Sequence, residues 1–191
     1  MRRPLFPLGS IVLPGGRLPL QLFERRYLDM LSGVMGPEKG FVVVLMREHR
    51  PDNNRDQAFY DLGTLVEVVD FAQRDNGLLG ITVEGRCKVR IERHWQEKDG
   101  LNWGDIVALE EEPAVTTPAH YLELENVLRA LVQHPAVASL SMEIDYRDAR
   151  QLGWRLTELL PLELAQRQRL MACEDPLQRL EQIQHWMESI S

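Results

Sequence analysis

Lysine is scarce in this 191-residue sequence, and its scarcity removes several kinds of active site. The three lysines are Lys39, Lys88 and Lys98, and no glycine is followed by lysine. The phosphate-binding loop of an ATPase needs that dipeptide, and a Ser-Lys hydrolase needs a desolvated lysine. We expect all three lysines to be solvated, with Lys88 on the polar face of an alternating strand. The sequence therefore predicts neither activity.

Metal-ligating and nucleophilic motifs are also missing. The two cysteines, Cys87 and Cys173, lie far apart and outside any Cys-x-x-Cys pair, which favours free buried thiols in a reducing compartment, by default the cytoplasm. No H-E-x-x-H pair or G-x-S-x-G elbow occurs. We therefore expect no catalytic residue, no metal and no cofactor. The isolated histidines are His49, His94, His120, His134 and His185.

Long apolar runs are absent as well. No stretch approaches the roughly 20 apolar residues that a membrane helix needs. Pro4, Pro7 and Pro14 interrupt the apolar N-terminal stretch, so it does not match a secretory signal. The sequence predicts a protein without a membrane association.

A concentrated positive charge is the last missing feature. The formal net charge is -7. Residues up to Glu112 contain 15 basic and 18 acidic side chains, and those from Pro113 contain 7 and 11. Nucleic acid is therefore not the expected partner. One alternative remains, in which Arg86, Lys88 and Arg90 form the basic face of an RNA-binding hairpin.

Hydrophobic periodicity divides what is present into two parts. Residues 1–112 are predicted to form mainly strands. The evidence is an apolar run at 42–46, a β-branched segment at 62–71 and an alternating pattern after residue 77, in which Glu84-Gly85 is expected to be a turn. A last strand is expected near 106–109. One helix is predicted from about Glu24 to Val34.

Residues 113–191 follow a helical period. Thr117-Pro118, Asp145 and Asp175-Pro176 are the expected helix starts, and Leu152, Leu156, Leu159 and Leu160 form a core-facing stripe. The fold class is therefore α+β, a β-rich part at 1–112 followed by a helical bundle at 113–191. The boundary falls at the triplet Glu110 to Glu112, which we expect to be a solvated strand end.

The N-terminal stretch contains three distinctive segments, PLFPLG (4–9), LPGGRLPLQLFE (13–24) and RRYLDM (25–30), and weaker signals follow in GLLGITVEGRCKVR (77–90) and the terminal DPLQRLEQIQ (175–184). Together these segments resemble the substrate-binding domain of Lon proteases, whose start the N-terminal stretch matches. The resemblance implies a PUA-like pseudo-barrel followed by a helical bundle. It also implies recognition of unfolded or degron-bearing polypeptides.

The resemblance together with the missing motifs predicts a free-standing, non-enzymatic and ATP-independent binding module. Its expected partner is a polypeptide or a protein, and its oligomeric state is not specified by the sequence. An open sheet edge is one way to take such a partner. The polar segment 47–57 is either the candidate binding loop or a disordered segment. The candidate contacts are Arg47, His49 and Arg50 on that segment, with Trp95 and Trp103 on either side of the turn at 98–100.

Overall fold

The change from alternating to helical periodicity divides the fold in two. A computed structural model describes residues 1–34, 40–47, 58–73 and 78–190, and the chain separates into the units Met1–Glu110 and Glu111–Ser191. The first unit contains β1 (Arg2–Leu8), β2 (Arg17–Leu22), α1 (Arg25–Val34), β3 (Phe41–Met46), β4 (Phe59–Gln73), β5 (Leu79–Gln96) and β6 (Asn102–Ala108). The second contains a 3₁₀ turn (Ala119–Tyr121), α2 (Leu122–Val132), α3 (Pro135–Ala138), α4 (Ala149–Leu159), α5 (Leu164–Ala172) and α6 (Pro176–Ile190). The α+β class is confirmed.

Five strands of the first unit close into a ring. The strand order is β2-β5-β4-β3-β1-β6, and β6 also pairs with β5. Among the described strands, all pairings are antiparallel except that between β1 and β3. The long strand β5 therefore belongs both to the ring and to the pairing with β2 outside it. This closed sheet is the pseudo-barrel that the resemblance implies.

Both faces of the ring are covered by apolar side chains. Val42 and Val44 belong to a core cluster drawn from all five ring strands, whereas Phe41 and Val43 belong to a second cluster with α1 and β2. A strand buried on both faces reads as a continuous apolar run, which explains the sequence FVVVLM. The α1 residues in the second cluster are Tyr27, Met30, Leu31 and Val34.

Gly85 is part of a continuous strand, and the turn predicted at Glu84-Gly85 is wrong. β5 runs through both residues, and Gly85 exchanges backbone hydrogen bonds of 2.9 Å with Gly15 and Gly16. A Cβ on Gly85 would overlap the Leu13 carbonyl oxygen. The glycine therefore serves a close approach of two backbones.

Lys88 is buried, which contradicts the expectation that it faces solvent. The residue is 5% exposed, and its cross-strand partner Thr64 is fully buried. The sheet is covered on both faces at this point, so alternation in the sequence does not distinguish a solvent-exposed face from a buried one. Lys98 is exposed as expected, whereas Lys39 lies outside the described residues.

The helix starts of the second unit are only partly those expected. Asp175 Oδ1 accepts hydrogen bonds from the Leu177 and Gln178 amides and caps α6 as predicted. Asp148, not Asp145, caps α4 through the Arg150 amide. Thr117 is not an N-cap, because its hydroxyl donates to the Tyr146 carbonyl instead.

Glu112 is held inside the second unit, so the prediction of a solvated acidic triplet is wrong for this residue. Its carboxylate accepts two hydrogen bonds from Arg179, at 2.6 and 2.7 Å, and the side-chain exposures are 2% and 0%. Trp154 Nε1 also donates to it, at 3.3 Å. Arg179 further donates to the carbonyls of Leu170 and Cys173 at the end of α5. One arginine therefore connects α5, α6 and the segment that precedes α2.

A second arginine closes the bend at Pro161. The Arg167 guanidinium donates to the carbonyls of Glu158, Leu160 and Leu162, each at 3.1 Å. Burial lowers the pKa of this guanidinium from its ordinary value. These bonds satisfy carbonyls that the end of α4 leaves without helical partners.

Candidate functional site

The side chain of Arg47 is engaged by its own sheet. Its Nε donates to the Phe59 carbonyl at 3.2 Å, and its guanidinium lies over the Tyr60 ring at 4.5 Å from the centroid. Stacking of this kind holds an arginine against an aromatic face. The other two candidates of this segment, His49 and Arg50, lie outside the described residues.

Trp95 and Trp103 are brought together as cross-strand partners on β5 and β6. The guanidinium carbons of Arg2 and Arg93 lie 5.0 and 5.6 Å from the Trp95 ring centroid, and its Nε1 donates to Glu97 at 2.8 Å. Trp103 is half-buried against the α1 core. Both indoles therefore make contacts within the first unit itself.

The strip Arg86, Lys88 and Arg90 does not present three cations to solvent. Arg86 pairs with Glu67 at 2.9 Å and with Glu84 at 2.6 Å, and Lys88 is buried. The nearby Arg93 pairs with Asp105 at 2.8 Å. Of the three residues predicted for the face, Arg90 and Arg86 are exposed.

The outer edge of β2 is the open edge among the described strands. β2 stands at the end of the strand order and pairs with β5 from Arg17 to Leu22. Pro19, in the middle of the strand, has no N–H to offer an added strand. Proline at such a position is a common means of blocking edge-to-edge pairing. Addition of a peptide strand is therefore disfavoured at this edge.

A groove of about 660 Å³ lies between α5 and α6. α4 packs against both helices, and the space between α5 and α6 remains open along one side. The α6 residues at the groove follow an i, i+3, i+4, i+7, i+8, i+11 pattern from Gln178, so they form one face of that helix. The groove is lined by Leu162, Gln166, Arg169, Leu170, Gln178, Glu181, Gln182, His185, Trp186 and Ser189.

The groove has an apolar base and polar walls. Leu162 and Leu170 are buried, and Trp186 is half-buried against the helical core. Three glutamine amides, Gln166, Gln178 and Gln182, stand along it. One of them, Gln166, forms a capping box with Glu163 and accepts from its amide at 3.0 Å. The groove can therefore offer both hydrogen bonds and apolar contact.

Other kinds of site find no support in the described ranges. No group of three His, Cys, Asp or Glu side chains there is placed to hold a metal ion. No helix in those ranges is long and apolar enough to cross a membrane. Cys87 and Cys173 are free thiols, both half-buried, and burial raises the pKa of the Cys87 thiol above its ordinary value.

Comparison with known families shows which family this chain belongs to. The family model for the ATP-dependent protease La (LON) substrate-binding domain matches residues 2–189. The chain belongs to this family. Its closed ring and helical bundle are thus the fold of a Lon substrate-binding domain, and the N-terminal resemblance is confirmed.

Known relatives support the same assignment. The Lon N-terminal domain protein from Xanthomonas campestris is 32% identical, covers 97% of this chain and 98% of its own, and superposes with a TM-score of 0.77. The N-terminal domain of Mycobacterium avium complex Lon protease, 16% identical, shares the fold with a TM-score of 0.68, over 98% of each chain. The Lon protease of Rhizobium meliloti is 24% identical over 97% of this chain. This chain spans 24% of that relative's length.

Sequence reasoning about this Lon-type domain missed the groove between α5 and α6. The apolar stripe of α6, which includes Leu180 and Ile183, marks its buried face. A second stripe, from Gln178 through Gln182 and Trp186 to Ser189, follows the same helical period. Trp186, a large aromatic residue in the same stripe as Gln178 and Gln182, was the sequence feature that could have indicated the groove.

Proposed function

We propose that this Lon-type domain is a non-enzymatic module that binds polypeptides, either unfolded or bearing a degradation signal. The observation that carries the proposal is the match of the substrate-binding family model to residues 2–189. The absence of a Gly-Lys dipeptide in the sequence supports binding without ATP hydrolysis.

The surface chemistry supports a polypeptide as the ligand. Phe23 is 70% exposed and Phe71 is 48% exposed, and exposed aromatic side chains favour contact with apolar segments of other chains. The groove adds an apolar base flanked by amides. Two of the three cations predicted for an RNA face, Arg86 and Lys88, are paired with an acid or buried, and the nearby Arg93 is paired with Asp105.

The proposal includes a cellular compartment and a partner protein. Two free thiols suit a reducing compartment, and we place the protein in the cytoplasm. There it would deliver bound chains to an ATP-dependent protease or compete with one. A pull-down of the tagged protein from its own cells tests this, and recovery of such a protease is the expected result.

Direct binding is the primary test. A fluorescently labelled, reduced and carboxymethylated small protein serves as the unfolded ligand, and the same protein with its disulfides intact serves as the folded control. We expect a rise in anisotropy with the unfolded form at micromolar concentrations and none with the folded form. No binding at several hundred micromolar would contradict the proposal. A labelled RNA in a salt titration is the parallel arm, because phosphate contacts give a steep salt dependence.

A further inference from the structure

We propose that the groove between α5 and α6 binds an extended polypeptide segment that has one large apolar side chain flanked by basic residues. The proposal rests on the function proposed above and assigns that function to a particular surface. The β2 edge, Arg47 and the Trp95–Trp103 pair are each hindered or already engaged. The groove is an open concavity of suitable size.

The dimensions of the groove fit a short extended segment. Its α6 wall runs from Gln178 to Ser189, which is about 16 Å at a rise of about 1.5 Å per residue. An extended chain covers that length with about five residues. The volume of about 660 Å³ lies within the range of clefts that enclose small ligands.

The lining suits a peptide backbone and one apolar side chain. A glutamine amide both donates and accepts hydrogen bonds, so Gln178 and Gln182 can bind the N–H and C=O groups of an extended backbone. Trp186 offers an aromatic surface beside Leu162 and Leu170, and aromatic surfaces contribute much of the energy of such contacts. A large apolar side chain of the ligand would pack there.

The net charge of the helical unit indicates which residues should flank the apolar side chain of the ligand. Residues 111–190 contain 7 basic and 13 acidic side chains, a difference of -6. Within this range five of the seven arginines bind the unit's own carboxylates or carbonyls: Arg129, Arg150, Arg155, Arg167 and Arg179.

At the groove itself the formal charges of Arg169 and Glu181 cancel. The negative field around the groove therefore comes from the net charge of -6 on the rest of the unit, and it favours basic residues on either side of the apolar one.

The two helices that form the groove are held in place where each begins. The Asp175 cap fixes the first turn of α6, and Arg179 ties that turn to the last carbonyls of α5. The capping box of Glu163 and Gln166 fixes the first turn of α5. A preformed groove loses less free energy on binding than one that must be ordered by its ligand.

Two matched variants test the assignment. Gln182→Arg places a long cation in the groove, whereas Gln184→Arg makes the same change on the same helix outside the lining residues. The ligands are the carboxymethylated protein and a labelled pentapeptide, Lys-Gly-Phe-Gly-Lys, with versions in which Phe is replaced by Ser or both Lys by Glu. Circular dichroism and the melting temperature establish that each variant is folded.

We expect Gln182→Arg to weaken binding of both ligands at least tenfold and Gln184→Arg to change it less than twofold. The Ser and Glu peptides should each bind at least fivefold more weakly than the parent. In the NMR spectrum the indole resonance of Trp186 should shift on peptide binding while that of Trp154 stays in place.

If both variants bind the unfolded protein as the original chain does, the groove assignment is wrong and the proposed function stands. If the original chain binds no unfolded protein, the proposed function itself fails. If Gln182→Arg weakens binding but the Glu peptide binds as well as the parent, the basic flank is wrong.

Discussion

Replacing Arg179 by methionine removes the cation from a buried ion pair and leaves the Glu112 carboxylate buried without that cation. The pair is bidentate at 2.6 and 2.7 Å, and both side chains are at most 2% exposed. Removing one partner of such a pair costs about 3–5 kcal/mol, because the other charge stays buried without its counter-ion. Arg179→Met also leaves the Leu170 carbonyl without its 2.9 Å bond.

The expected loss in the free energy of unfolding is therefore about 3–5 kcal/mol. For a unit of this size, each kcal/mol lowers the melting temperature by about 4–8 °C. Urea unfolding followed by far-ultraviolet circular dichroism measures the loss. Tryptophan fluorescence, to which the Glu112-bonded Trp154 contributes, follows unfolding as a second probe.

Two further variants separate the ion pair from other effects. Arg169→Met makes the same substitution at an arginine outside the buried pair, and we expect a change within about 0.5 kcal/mol. Glu112→Gln combined with Arg179→Met removes the remaining buried charge and should recover at least about 1 kcal/mol of the loss. A loss below about 1 kcal/mol in Arg179→Met, with the urea dependence unchanged, would refute the reasoning.

Three other predictions concern single residues. Gly85→Ala forces a methyl group into the Leu13 carbonyl oxygen, and urea unfolding should show a loss of about 2 kcal/mol or more; an unchanged midpoint would contradict the close approach. Asp175→Ala removes the α6 cap and should cost about 1 kcal/mol in the same assay, whereas Glu174→Ala should be nearly neutral. Burial raises the pKa of the Cys87 thiol above its ordinary value of 9.0. The unfolded state therefore loses this proton first as pH rises, so the free energy of unfolding should fall above pH 9.0. Cys87→Ser should reduce that fall, and an unchanged pH profile would contradict the assignment.

The elements that sequence predicted well are those fixed by neighbouring residues. The Asp175-Pro176 cap acts on amides two and three residues later, so its signature is local. The apolar run at 42–46 predicts a buried strand whatever its partners are. The helix near 24–34 follows in the same way from the spacing of Tyr27 and Leu31.

The features that sequence missed depend on distant parts of the chain. Gly85 resembles a turn residue until the backbone of Leu13 is placed beside it. Glu112 resembles a solvated acid until Arg179, 67 positions later, is placed against it. Lys88 alternates like an exposed residue on a sheet that is covered on both faces. The groove likewise requires two helices to diverge, which no single helical stripe can indicate.

The long strand β5 has a consequence for how the first unit forms. It pairs with β2 and β4, which precede it in the chain, and with β6, which follows it. β1 in turn can form its antiparallel pairing only after β6 has been synthesised. During synthesis the ring therefore cannot close until residues near Ala108 have left the ribosome, and long-range pairing of this kind is slow to form. In the finished protein, opening β5 would separate three strand pairings at once, so the amides at its centre should be among the last to exchange their hydrogens with solvent.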